Sequence, residues 1–296
     1  LVTGSSIDSL LSLINSFEPS SSLKTNQLHG HSMAITSLAL NYDSTYLVSG
    51  SADNTVRLWS THTVACLAVF RAHVKSVTAI AIAPRGFFFA SGAKDKIAYI
   101  WSTNSAQPLK RFSGHSEAIN AIAFSNNGNY LITSADDRTI RIFGLDDCLL
   151  VRVFIHDNQQ VCFCLSESND VIVVGDREGI VSVWDVDKGK RIQRFDTCPQ
   201  MLKGVPNVVC KAIRGVKMTY DESVIVVYTR SKMLFYDFSQ LRIEGSLNVF
   251  ANFENKDCQS KNRLVSPKVI WQTESPELNI LGAEFTYRNT PMFITR

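Results

Sequence analysis

The stretch VSGSADNTVRLWS at 48–60 returns as ASGAKDKIAYIWS at 90–102 and as ITSADDRTIRIFG at 132–144, so the starts at 48, 90 and 132 lie 42 residues apart. Four columns share that register without a gap. They are His31, His73 and His115; Ser49, Ser91 and Thr133; Asp53, Asp95 and Asp137; and Trp59, Trp101 and Phe143. Within each copy the apolar residues alternate with period two, the signature of strands. The unit opening at Gly114-His115 reads as AINAIAF (118–124), a turn SNNGN (125–129), YLITSA (130–135), a tight connection Asp136-Asp137-Arg138, TIRIFG (139–144) and CLLVRVF (148–154). The turn composition separates the runs, which gives a four-stranded antiparallel meander per copy.

A period of 40–45 residues built from four strands predicts the blades of a β-propeller. Weaker copies extend the array. His156 opens one that ends in GDREGIVSVWD (175–185), with Glu178 in the Asp column, Trp184 in the Trp column and Val174 where Ser or Thr stands elsewhere. Another ends in MLFYD (233–237), with Tyr236 for Trp. At the front, LVTGSSIDSLLSLIN places Asp8 and Ile14 six residues apart, as in the Asp and Trp columns. At the back, SPKVIWQTE (266–274), NILGAEF (279–285) and TPMFITR (290–296) are strand-like, and the polar segment 246–267 reads as a long loop. The expectation is an all-β, seven-bladed propeller with one blade incomplete, a single domain over 1–296. Residues 1–27 form a partial blade and linker; 28–70, 71–112, 113–154, 155–195 and 196–241 are blades; 242–296 is a loop plus a partial closing blade.

Composition narrows the function classes. A net charge of +3 with mixed signs, and KGKR (188–191) as the longest basic cluster, give no nucleic-acid footprint. Seven cysteines occur with no CxxC pair, so zinc spacing is absent and reduced, mostly core-packed thiols are expected of an intracellular protein. Cys162 and Cys164 share one face of a strand, where packing outranks a metal role. No apolar run reaches bilayer length. Glycine-rich phosphate loops, HExxH and GxSxG are missing, and no metal or cofactor is expected.

A His, a Ser and an Asp in every copy invite a nucleophile-and-base reading. Repetition argues against it, because an active site is one asymmetric constellation. The residues and their order, GH near the start and Trp near the end, resemble WD40 repeats. That resemblance implies a hydrogen-bonded chain inside each blade: the Trp indole donates to the hydroxyl, the hydroxyl meets the imidazole, and the imidazole meets the carboxylate. Phe143 lacks the indole N–H and Val174 the hydroxyl, so those copies are expected to lean on apolar packing. The run FFF at 87–89 is expected to begin a buried strand, against a reading as an exposed docking patch. Trp271, outside the repeat register, serves either as core or as a partner anchor.

Propellers present loops, and the end bearing the His and Asp columns commonly binds partners. Its candidates here are Lys94, Lys96, Asp136 and Arg138. Ala52, Lys94 and Asp136, each just before a column Asp, differ between copies, and no ring of arginines suits a phosphopeptide. A narrower resemblance lies in PRGFFFASGAKDKIAYIWSTNSAQPLKRFSGH (84–115), which looks like the third blade of the WD40 subunit of TFIID, the fifth TBP-associated factor. ILGAEFTYRNTPMFITR (280–296) is similar to that family's closing segment, and LVTGSSIDSLLSLI aligns with its first blade, while 200–275 departs from the pattern. The resemblance implies a nuclear, non-enzymatic scaffold of TFIID or of the coactivator SAGA. It would dock histone-fold TBP-associated factors, reach its fold with chaperonin help, and follow helical N-terminal domains in full-length members. Two rivals belong to other classes. One is a ubiquitin-ligase substrate receptor with an adaptor-binding helix upstream of Leu1. The other is a propeller enzyme with an unrepeated acid/base cluster. Direct DNA binding is disfavoured by the near-neutral charge.

Overall fold

The computed structural model describes residues 25–84, 86–197, 212–229 and 232–238, together with the backbone of strands at 2–4, 11–14, 269–274, 280–285 and 291–295. Every regular element among them is a β-strand. The alternation read from the sequence appears as consecutive antiparallel meanders. One sheet holds Ile35–Leu40, Tyr46–Ser51, Val56–Ser60 and Ala65–Phe70. The next holds Val77–Ile82, Phe88–Ala93, Ala98–Ser102 and Ser105–Phe112. A third holds Ile119–Phe124, Tyr130–Ala135, Thr139–Gly144 and Leu150–Ile155. These are called below the 35–70, 77–112 and 119–155 sheets. Val2–Gly4, Leu11–Ile14 and Thr25–Leu28 make a three-stranded sheet before them.

The repeat in sequence is a repeat in register. The first strand of each sheet bulges at the same place, between Ile35 and Ser37, Val77 and Ala79, and Ile119 and Ala121. The third pairs irregularly with the fourth at Trp59, Trp101 and Phe143. Second strands carry one exposed residue followed by five buried ones. Burial on both faces follows from stacking between neighbouring sheets, which removes the alternation expected of a one-sided strand. The approach is close. A Cβ on Gly50 would sit 2.7 Å from Val77 Cγ1, and one on Gly92 2.6 Å from Ile119 Cγ2, so the next sheet's first strand occupies the space that glycine vacates. Threonine hydroxyls bind the sheets together. Thr36 Oγ1 donates to the carbonyls of Gly50 (3.0 Å) and Val77 (2.7 Å), and Thr78 Oγ1 reaches those of Gly92 and Ile119 at 3.0 and 2.5 Å.

The chain divides into two units, Leu1–His156 and Asp157–Arg296. In the second, Gln160–Leu165, Val171–Asp176, Ile180–Asp185 and Arg191–Asp196 form the 160–196 sheet. Gly215–Met218, Val224–Tyr228, Lys232–Asp237 and Val269–Glu274 form another, and Ile280–Phe285 pairs with Pro291–Thr295. Val173, Val181, Val183, Phe195, Ile225 and Val227 sit in one core cluster, with Cys162 and Cys164 packed against it. Burial pushes the Cys162 thiol up to about 12, so it is an inert packing group.

Four sequence expectations need correction or lie outside the described residues. Val269–Glu274, read with the closing pieces, is the fourth strand of the preceding sheet: Phe235 pairs with Trp271 across it. A strand partner so far along the chain leaves no local signature. Cys66 is exposed, because its strand is the outer edge of the 35–70 sheet. The FFF run splits: Phe89 is buried at 1 %, whereas Phe87 and Phe88 are 66 and 44 % exposed. The first two precede or begin the strand at the turn, where no neighbouring sheet covers them. Segment 246–267 lies outside the described residues.

Candidate functional site

Each repeat closes a polar chain at one end of its sheet. The imidazole comes from the segment entering the first strand, the hydroxyl from mid-second strand, the carboxylate from the tight second-to-third connection and the indole from the third strand. In the 35–70 sheet, Trp59 Nε1 donates to Ser49 Oγ at 2.8 Å, Ser49 Oγ lies 2.7 Å from His31 Nε2, and His31 Nδ1 lies 2.9 Å from Asp53 Oδ2. The neighbours assign the tautomer. The carboxylate can only accept, so Nδ1 carries the proton, and the serine O–H donates to Nε2 while its oxygen accepts from the indole. Asp53 also accepts from the amides of Ser32 (3.0 Å) and Thr55 (2.9 Å) and from the Thr55 hydroxyl (2.6 Å). Burial alone would raise this carboxyl. The bonds from Thr55, His31 and Ser32 outweigh it and hold the pKa at about 2. Burial lowers the pKa of His31 and His115 against the pull of Asp53 and Asp137, with Arg57 and Arg141 adding to the depression. A neutral imidazole bonded to a charged carboxylate is the result.

The 77–112 sheet repeats the geometry: Trp101 Nε1 to Ser91 Oγ 2.8 Å, Ser91 Oγ to His73 Nε2 2.7 Å, His73 Nδ1 to Asp95 Oδ2 2.9 Å. Ile97 stands where Thr55 does, so Asp95 receives its amide, at 3.2 Å, with no hydroxyl. In the 119–155 sheet, Thr133 Oγ1 to His115 Nε2 is 2.7 Å and His115 Nδ1 to Asp137 Oδ2 2.9 Å, while Phe143 supplies bulk without the indole bond and packs against Phe112. Ser49, Ser91 and Thr133 are all 0 % exposed. A hydroxyl sealed between sheets cannot meet a substrate, so these residues hold the connections rather than perform chemistry.

Departures in the 160–196 sheet follow a different route. Val174 is buried at 1 % opposite Ser182. The carboxylate that ties the tight connection is Asp176, not Glu178: its Oδ1 accepts from the amides of Glu178 (2.9 Å) and Ile180 (2.7 Å), and its Oδ2 from Asn158 Nδ2 (2.9 Å). Asp176 sits two residues ahead of the Asp column, so a register search overlooks it. Burial raises its pKa, only partly offset by those donors. Asp8 lies outside the described residues. Thr55 and Thr139, whose hydroxyls donate to Asp53 and Asp137, also escaped the sequence reading, since threonine is ordinary at a strand start.

The same connections carry the candidate partner-binding residues. Lys96 and Arg138 sit at left-handed turn positions, φ 73° and 65°, as does Asn54 at 67°. Lys94 and Arg138 are exposed. The Lys96 ammonium donates to the Ser116 carbonyl and faces Glu117 at 3.8 Å, so it braces the next sheet. Asp136 accepts from Asn120 Nδ2 at 2.8 Å. Met33 and Val74, 54 and 74 % exposed, give this end an apolar component. No group of three or more His, Cys, Asp or Glu able to hold a metal occurs among the described residues.

A family model described as WD domain, G-beta repeat, matches residues 21–60, 64–102 and 106–144. Each match runs from the outer strand of one sheet through the third strand of the next, so the sequence repeat fastens neighbouring sheets. A search of curated proteins found no match. The chain therefore carries three WD40 repeats on an all-β fold of the WD40 β-propeller class, the architecture of protein-interaction scaffolds.

Proposed function

We propose that this chain is a non-enzymatic scaffold subunit of TFIID, or of a SAGA-type coactivator, acting in the nucleus. Its His–Asp end docks histone-fold TBP-associated factors during assembly of the RNA polymerase II pre-initiation complex. The observation carrying the scaffold reading is a division of labour among neighbours in sequence. The residues that recur are held in the hydrogen-bonded chains, and among those that vary beside them two stand in solvent while Ala52, Lys96 and Asp136 are half-buried. Lys94 and Arg138 are exposed one residue before Asp95 and one after Asp137. Support for the particular complex comes from the resemblance of 84–115, 280–296 and 1–14 to the TFIID subunit's WD40 domain.

The test is affinity purification of the tagged full-length protein from nuclear extract. Histone-fold TBP-associated factors are expected in the eluate, and Lys94→Glu combined with Arg138→Glu is expected to deplete them while leaving the melting temperature unchanged. Cullin adaptors recovered without such factors would replace this reading with the ubiquitin-ligase receptor.

A further inference from the structure

We propose that the far end of the Leu1–His156 unit, at the opposite tips of the strands from the His–Asp connections, docks an extended basic segment of a partner. Aromatic faces would hold its middle and carboxylates both its flanks. Each second strand begins there with an exposed aromatic residue: Tyr46, Phe88 and Tyr130, spaced like the repeat itself and 38, 44 and 38 % exposed. The residue after each one enters the core, with Leu47, Phe89 and Leu131 no more than 1 % exposed. The sheets are thus anchored without the aromatics. Tyr42 and Phe87, 85 and 66 % exposed, widen the row. The turns adjoin, because a Cβ on Gly86 would stand 4.0 Å from the Asn41 side chain. Three sheets stacked about 10 Å apart put the ends of the row about 20 Å apart, which an extended chain rising about 3.3 Å per residue covers with about six residues.

Charge selects the occupant. Asp43 shares a turn with Tyr42 at one flank. Asp146 and Asp147 lie at the other, in the connection where the Leu145 amide bonds the Asn129 carbonyl beside Tyr130. All three are exposed, and the Thr45 hydroxyl and amide hold the Asp43 carboxyl below its usual range, so it stays ionised. Among the described residues the cations nearest this end are Lys110, whose ammonium is bound by the carbonyls of Leu145 and Asp146, and Arg152, half-buried at the equivalent register position of the 119–155 sheet; Arg85 lies outside them. Carboxylates at both flanks of a π surface suit Arg or Lys side chains, which lie on aromatic faces and end on carboxylates. The same aromatics would stack nucleic-acid bases, but the carboxylates repel phosphates.

The test is fluorescence anisotropy of the purified chain with a labelled Arg-Ser repeat peptide of about ten residues, longer than the six that span the row. Saturable binding that weakens with salt is expected. Phe87→Ser with Phe88→Ser should weaken it at least about tenfold, and Asp43→Asn with Asp146→Asn should weaken it and flatten its salt dependence. Melting curves check each variant, and Tyr42→Ser serves if the double phenylalanine variant does not fold. A Glu-Ser peptide and oligothymidine should not bind. Absence of binding would overturn the proposal, as would equal binding of either anionic probe, or loss caused only by Lys94→Glu at the other end.

Discussion

At the scale of single residues, the molecule contains its own control for the glycine before each repeat histidine. A Cβ on Gly30 would lie 2.4 Å from Arg57 Nη1, and one on Gly114 2.5 Å from Arg141 Nη1. Where the third strand offers Tyr99 instead of Arg, the position holds Ala72, and the Tyr99 ring packs edge-on against His73 at 4.9 Å. At Gly30 the glycine is therefore room for a guanidinium; Gly114, at φ 132°, is required by its backbone as well. Gly30→Ala is expected to cost about 1 kcal/mol, the low end of overpacking, because the nearest atom is the tip of a flexible side chain. Adding Arg57→Tyr should recover part of it, giving a coupling of about 0.5 kcal/mol in a denaturation double-mutant cycle; strict additivity would refute the pairing. Asp95→Ala strips acceptors from His73 Nδ1 and from the Val74 and Ile97 amides, and should lower stability by about 2 kcal/mol in urea melts. The quartets were legible in sequence because identical chemistry recurs at a fixed interval. Asp176 was not, because the same turn-tying task is done there from two residues away.

At the scale of elements, position in the sheet decides what a strand tolerates. Inner strands are buried on both faces, whereas the fourth strand exposes its outer side and a backbone edge that no strand among the described residues pairs. Ser105–Phe112, with its Gln107, Lys110 and Arg111, and Arg191–Asp196 present largely polar edges, and Ala65–Phe70 exposes Leu67 as its one large apolar side chain. Leu150–Ile155 differs: Leu150, Val151, Val153 and Ile155 are 45, 54, 37 and 73 % exposed. An apolar edge of this kind templates strand addition. Val151→Lys is expected to slow aggregation on warming, measured by light scattering, while shifting the unfolding midpoint little. An unchanged aggregation rate would show that this edge does not seed association. Strand existence was legible from period-two alternation and turn composition. Pairing was legible only between neighbours in sequence, so Val269–Glu274 was misassigned. Its partner Lys232–Asp237 lies beyond residues 238–268, and nothing in either strand names the other.

At the scale of the whole molecule, the two units hold their connections by groups that answer acid in opposite senses. In the first unit His31 and His115 are depressed below their unfolded value of 6.5. As the pH falls through 6.5 the unfolded chain takes up those protons first, so the stability the neutral imidazoles contribute above that pH is progressively lost. Asp53, at about 2, together with Asp95 and Asp137, extends the loss below 3.8. In the second unit Asp176 is raised above 3.8 by burial, so the folded state binds its proton first. Its contribution grows as the pH falls through the folded value toward 3.8. Asp221 in the same unit is lowered, by bonds from Thr219 and Ser223, and opposes this only below 3.8. Between 6.5 and 3.8 these groups weaken the first unit and favour the second. Hydrogen exchange at neutral pH and at about pH 5, corrected for the intrinsic rate, should show protection of Tyr46–Ser51 and Tyr130–Ala135 falling relative to Val171–Asp176. His115→Gln should reduce that fall in Tyr130–Ala135. Protection falling equally in all three strands, or unchanged by the glutamine, would mean that the imidazoles do not govern the acid response.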